Sequence, residues 1–182
     1  MSIKEEIFNN YYDELTFDDP IDYKGLLLYP VSIRKINKFL QSSSVLRIQK
    51  EYIPEKEIIK MLYLKFLMTN IDKEKEEYGE SLTFDLLALC FMICMRIEEI
   101  SINLFIGEDG KAKLILNDVE INENDFDYLR KLILYQNLPN YDDELMNPDL
   151  KNDLEQADKI KNGGEETEDF EHLIANLVIG TG

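Results

Sequence analysis

At 182 residues with a formal net charge of −17, the chain has room for one domain plus an appendage, and for a core of substantial size. Hydrophobic residues at 45% and charged residues at 31% place it with globular rather than disordered chains. The acidic excess argues against nucleic-acid phosphates and anionic membrane surfaces as partners, because both call for a Lys/Arg face.

The longest apolar run, "LLALCFMICM" at residues 86–95, is half of the roughly 20 residues that a helical membrane span requires. The opening "MSIKEEIFNN" carries charge and no apolar signal core, so no secretion signal is expected. Cys90 and Cys94 both lie inside the apolar run and read as reduced thiols of a cytosolic protein.

In chain order, Asp18-Asp19-Pro20 is a turn signal, and "YKGLLLYPV" at residues 23–31 predicts a short strand pair or an edge strand. Ser32 offers an N-cap for a helix on which Ile33, Ile36, Phe39 and Leu40 share a face, closed by "QSSS". Pro54 opens a second, buried helix over residues 55–70, and "DKEKEEYGES" follows as a solvated connection. Thr83 caps a third helix reaching Ile97. It is apolar nearly all round and so a candidate for the centre of the core. From Ile100 the period changes to two. Ile102, Leu104 and Ile106 alternate with Asn103 and Phe105, "GEDG" turns the chain, and Ala112, Leu114 and Leu116 line the return strand. Asn117-Asp118 marks a second turn before "VEI", giving a three-stranded meander at about residues 100–121. Asn122 or Asn124 then caps a helix whose face is Phe126, Leu129, Leu132, Ile133 and Gln136, ended by Pro139.

Beyond that helix the composition shifts. Residues 142–171 hold 12 acids against three lysines, a net −9 of the chain's −17. Asn147-Pro148 and Gly163 bracket one helix with a thin apolar stripe of Leu150, Leu154, Ala157 and Ile160. After Gly163-Gly164, Phe170, Leu173, Ile174, Leu177 and Val178 form a second stripe, read either as the candidate partner-binding face of a docking helix or as a helix that folds back onto its own core. The expected organisation is a globular α+β core at residues 1–138 and an acidic linker with two amphipathic helices at 139–182. The core is mainly helical with a small antiparallel β-meander, and the appendage is helical.

No catalytic, cofactor or metal site is expected. His172 falls on the polar side of its helix without a Ser, Cys or carboxylate constellation. Cys90 and Cys94 share a helix face but have no C-x-x-C companion, and read as small core hydrophobes. The run "YDDELMNPDLKNDLE" lacks the central Gly and closing Glu of a calcium loop. "GEDGK" lacks the spacing of a phosphate loop and reads as a hairpin turn. The aromatic cluster in "NNYYDELTF" reads either as an interface anchor or as packing of the N-terminal arm on the core.

Two stretches carry a family resemblance. "LTFDDPIDYKGLLLYPV", residues 15–31, resembles the opening of small tail- and baseplate-assembly proteins of tailed bacteriophages, with its acidic-Pro turn and Tyr-x-Gly-Leu-x-x-Tyr-Pro. "FDYLRKLILYQNLPNYDDELMNPDLKNDL", residues 126–154, resembles a second stretch of that group, Arg-x-x-Ile-x-x-Gln-Asn followed by an acidic linker and Asn/Asp-Pro-Asp/Glu-Leu. Together they cover about a quarter of the chain. The resemblance implies a non-enzymatic role as a tail assembly chaperone or baseplate-hub assembly factor, in the host bacterial cytoplasm or the virion. Its partners would be phage tail proteins, with a homo-oligomer as an open alternative. Members of the group continue past an Ile-Gly/Ser-Thr-Gly stretch into another helical region, whereas this sequence stops there. A truncated chain, a processed product and the short member of a frameshifted pair are the three readings. A structural baseplate subunit and an acidic DNA mimic remain the alternative functions. The mimic calls for acids along one whole surface, whereas half of this excess lies in a single segment.

Overall fold

The computed structural model describes residues 1–50, 55–138 and 140–141. The chain divides into two units, Met1–Asn140 and Tyr141–Gly182, and the fold below is that of the first. The two helices expected after residue 147, with His172 and the stripe Phe170, Leu173, Ile174, Leu177 and Val178, lie outside the described residues, as do Pro54 and Pro139.

The described unit has an α+β fold, with helices packed around one β-hairpin and one three-stranded meander. The chain begins with α1 (Ile3–Asn10), set by a reciprocal capping box between Ser2 and Glu5. A short α2 (Tyr12–Phe17) follows. These helices were not expected from periodicity, although Ser2-x-x-Glu5 signals the first of them.

The predicted strand pair is a hairpin, β1 (Ile21–Tyr23) and β2 (Leu26–Leu28). Its two-residue loop holds Lys24 and Gly25 at φ 54° and 86°, the positive pair that matches the twist of a tight hairpin. The Asp22 carboxylate accepts the Gly25 N–H at 2.8 Å. Alternation then buries Ile21, Tyr23, Leu26 and Leu28 on one face.

Ser32 makes no side-chain cap. Residues Ile33–Lys35 form a 3₁₀ turn, and α3 runs only over Ile36–Ser42. The tighter turn rotates Ile33 away from the Phe39 face and leaves it 88% exposed. A second 3₁₀ turn, Ser43–Leu46, buries Val45 and Leu46.

The expected buried helix is split into α4 (Lys56–Lys60) and α5 (Tyr63–Tyr78) by extended backbone at Met61 and Leu62. Helix α5 continues through the Lys/Glu-rich stretch predicted as a connection. The apolar stripe stops at Ile71, but Lys and Glu favour helix, and Gly79 at φ 81° supplies the stop. Helix α6 (Leu82–Met95) is capped by Ser81, whose hydroxyl accepts the Phe84 N–H at 3.1 Å. Thr83, the expected cap, bonds Glu74 instead. That carboxylate receives the Ser81 hydroxyl at 2.6 Å and the Thr83 N–H and hydroxyl at 2.9 and 2.7 Å, tying the end of α5 to the start of α6.

The meander is as predicted, with β3 (Ile102–Ile106), β4 (Ala112–Leu116) and β5 (Val119–Asn122) pairing antiparallel in that order. Asn117 and Asp118, at φ 46° and 69°, make the second tight turn. Asn122 caps α7 (Glu123–Asn137), accepting the Asn124 and Asp125 N–H groups. Helix α7 packs against α5, β4, β5 and α1, and α6 against α3, α5 and β2. Arg130, on α7, is buried. It donates to the Leu46 carbonyl at 2.8 Å, pairs with Asp127 and lies 4.2 Å from the Tyr63 ring centre.

Candidate interaction surfaces

Helix α6 is not enclosed by the core. At 3.6 residues per turn, Thr83, Leu87, Cys90, Phe91, Ile93 and Cys94 fall on one arc and are buried. The opposite arc holds Phe84, Ala88, Leu89, Met92 and Met95, all half-buried, with Leu82 66% exposed and Asp85 as its one charge. A helix apolar all round calls for neighbours on every side. Among the described residues, the first arc is fully packed and the second only in part: Lys75 of α5 lies 5.2 Å from the Phe84 ring centre, and Leu82 is left mostly exposed.

In the N-terminal aromatic run Tyr11 is half-buried, and the residues just before the run pack on the core. Ile7 is fully buried, and Phe8 meets the Tyr135 ring at 5.8 Å. Tyr12 and Phe17 remain 64% and 70% exposed on α2, none of whose residues is buried.

The two stretches that carry the phage resemblance are brought together. Tyr23 of the hairpin stacks on Tyr128 of α7 at 5.4 Å, and its hydroxyl donates to the Asp125 carbonyl at 3.3 Å. Lys24 pairs with Asp125, Gln136 donates to the Leu28 carbonyl, and the Asn137 side chain accepts the Val31 N–H at 2.7 Å. Tyr23, Gly25, Gln136 and Asn137 of the two patterns thus shape and lock one hairpin–helix unit. Burial raises the phenols of Tyr11, Tyr23 and Tyr128, with Asp125 adding to the effect at Tyr23. These rings are packing partners that stay uncharged.

Cys90 and Cys94 are buried free thiols. Their mutual hydrogen bond, and then burial, push the Cys94 thiol well above its usual value, which suppresses the thiolate that a nucleophile or metal ligand needs. "GEDGK" is the β3–β4 turn, with the Gly110 N–H on the Gly107 carbonyl at 2.9 Å. A cleft of about 470 Å³ beside that turn is lined by Lys60, Lys65, Lys111, Glu57 and Glu123 with Met61 and Leu62, and sets no nucleophile against a base. Among the described residues, no group of three His, Cys, Asp or Glu could hold a metal ion, and no helix is long and apolar enough to cross a membrane. The calcium-like run after Tyr141 lies outside the described residues.

No protein-family model, curated protein or solved structure matches this chain.

Proposed function

We infer that this protein is a non-enzymatic assembly factor of a tailed bacteriophage, docking on or chaperoning a tail or tape-measure component in the host cytoplasm. The observation that carries the reading is the outward arc of α6, a half-buried apolar helix face that begins at the exposed Leu82, in a chain of net charge −17. Such a face buries apolar area against a partner, while the surrounding like charge keeps the unbound protein dispersed. The phage assignment rests on the residue patterns around Tyr23-Lys24-Gly25-Leu26 and Arg130 to Asn137.

Co-expression with the tape-measure and tail-tube proteins of the same genome tests the proposal. The expected result is a soluble complex that the substitution Leu82→Glu weakens, while the thermal transition of the free protein moves by only a few degrees, as for surface changes of about 0.5 kcal/mol. An aggregating tape-measure protein unaffected by the wild-type chain would overturn the chaperone reading. A fixed copy number in purified virions would point instead to a baseplate subunit.

A further inference from the structure

Strand β3 is an open edge. The sheet order places β4 on one side of it, and among the described residues no strand pairs with the other. The register identifies the backbone groups that face outward. Gly107 donates to the Lys111 carbonyl and Asn117 to the Ser101 carbonyl, so the odd-numbered residues of β3 form the hydrogen-bonded pairs with β4. Ile102, Leu104 and Ile106 are then the non-bonded positions, and their N–H and C=O groups point away from the sheet. Three donors and three acceptors in a row make a template for one more strand.

Natural edges are blunted by Lys, Pro, bulges or covering elements. The opposite edge follows that rule. Strand β5 has four residues, carries Glu120 paired with Lys113, and runs directly into α7. Strand β3, "INLFI", has no charge and no Pro, and its register with β4 is unbroken. Its side chains are also accessible: Ile102, Leu104 and Phe105 are half-buried, and Ile106 is 50% exposed.

Charge selects the occupant. The exposed pair Glu98-Glu99 precedes the edge and the exposed pair Glu108-Asp109 follows it. The edge is therefore a neutral strip about 17 Å long with two acids at each end, the exposed Lys111 offsetting one of them at the turn. A second copy pairing antiparallel across a two-fold axis would set Glu98-Glu99 against the other copy's Glu108-Asp109, like against like. We propose that the β3 edge is a strand-addition site for an extended peptide segment of a partner protein, apolar at alternate positions and flanked by basic residues. Main-chain bonds to Ile102, Leu104 and Ile106 supply affinity, and the terminal acids supply register and selectivity. This site is separate from the α6 face and stands without it.

The test titrates the full chain with the peptide KKVTVTVKK, with EEVTVTVEE and KKVTPTVKK as controls, reading amide exchange and chemical shifts. Binding of the basic peptide alone is expected, weakening with salt and slowing exchange of the Ile102, Leu104 and Ile106 amides. Leu104→Pro removes an outward N–H without touching the β3–β4 ladder, and should abolish binding. Ile106→Lys blunts the edge more gently and should weaken binding about tenfold should the proline variant not fold. Leu82→Glu, on the exposed start of α6, should leave peptide binding unchanged. Equal binding of the acidic peptide, protection mapped away from β3, or no binding at all would overturn the proposal. So would a dimer of the free protein that Leu104→Pro dissolves, because a second copy would then be the occupant.

Discussion

The hairpin–α7 unit ends in one condition, and helix α6 and strand β3 end in the opposite one. In the first, Tyr23, Lys24, Leu28 and Val31 each meet a named partner on α7, and the side-chain amides of Gln136 and Asn137 are spent on main-chain groups of the hairpin and its exit. In the second, one arc of α6 is only half-buried, and one edge of β3 carries outward main-chain polar groups that no strand among the described residues pairs. The difference separates scaffold from surface. The residues that look most family-specific hold the fold together, while the residues with unspent interaction capacity are the ones available to a partner.

Breaking the scaffold side should give the largest effect. Arg130 is 5% exposed and joins α7 to the Leu46 carbonyl, Asp127 and the Tyr63 ring. Arg130→Ala removes the packed stem and leaves the Leu46 carbonyl without its donor, and should cost about 3 kcal/mol in urea denaturation. A loss below about 1 kcal/mol would mean that the unit is less tightly coupled than its geometry implies.

A smaller, pH-dependent effect belongs to the α5–α6 junction. Burial disfavours the charge on Glu74, but the hydrogen bonds from Ser81 and Thr83 outweigh it and hold the carboxyl below its ordinary value. With the folded pKa depressed, its contribution is present above the unfolded value of about 4.5 and is lost as pH falls through the folded one. Glu74→Gln should therefore lower stability at pH 7 and flatten the decline of stability below about pH 4.5 relative to the unsubstituted chain. Parallel curves for the two proteins would place the junction's stability elsewhere.

Much of the fold was legible because period and turn chemistry agreed. The switch to alternation at Ile100, with Asn117-Asp118 as a two-residue turn, specified the meander. Helix ends were less legible. Ser81 and Thr83 are both acceptable caps, and only the tertiary position of Glu74 decides between them. The length of α5 was hidden because its second half is helical by propensity and carries no apolar stripe. The burial of Arg130 gave no signal, since a charged residue within an amphipathic helix reads as solvated until the Tyr63 ring and Leu46 carbonyl are placed around it. The candidate surfaces were legible only in part. The sequence marks α6 as apolar on all sides and β3 as alternating, but which side lacks a neighbour depends on topology.

The central claim is that partners engage the α6 arc and the β3 edge and leave the hairpin–α7 unit as scaffold. Hydrogen–deuterium exchange on the free protein and on its complex with the co-expressed tape-measure protein tests it most directly. The expected difference map shows new protection in Leu82–Met95 and Ile102–Ile106, with Ile21–Tyr23, Leu26–Leu28 and Glu123–Asn137 unchanged. Protection concentrated in the hairpin and α7, with α6 and β3 exchanging as in the free protein, would contradict it.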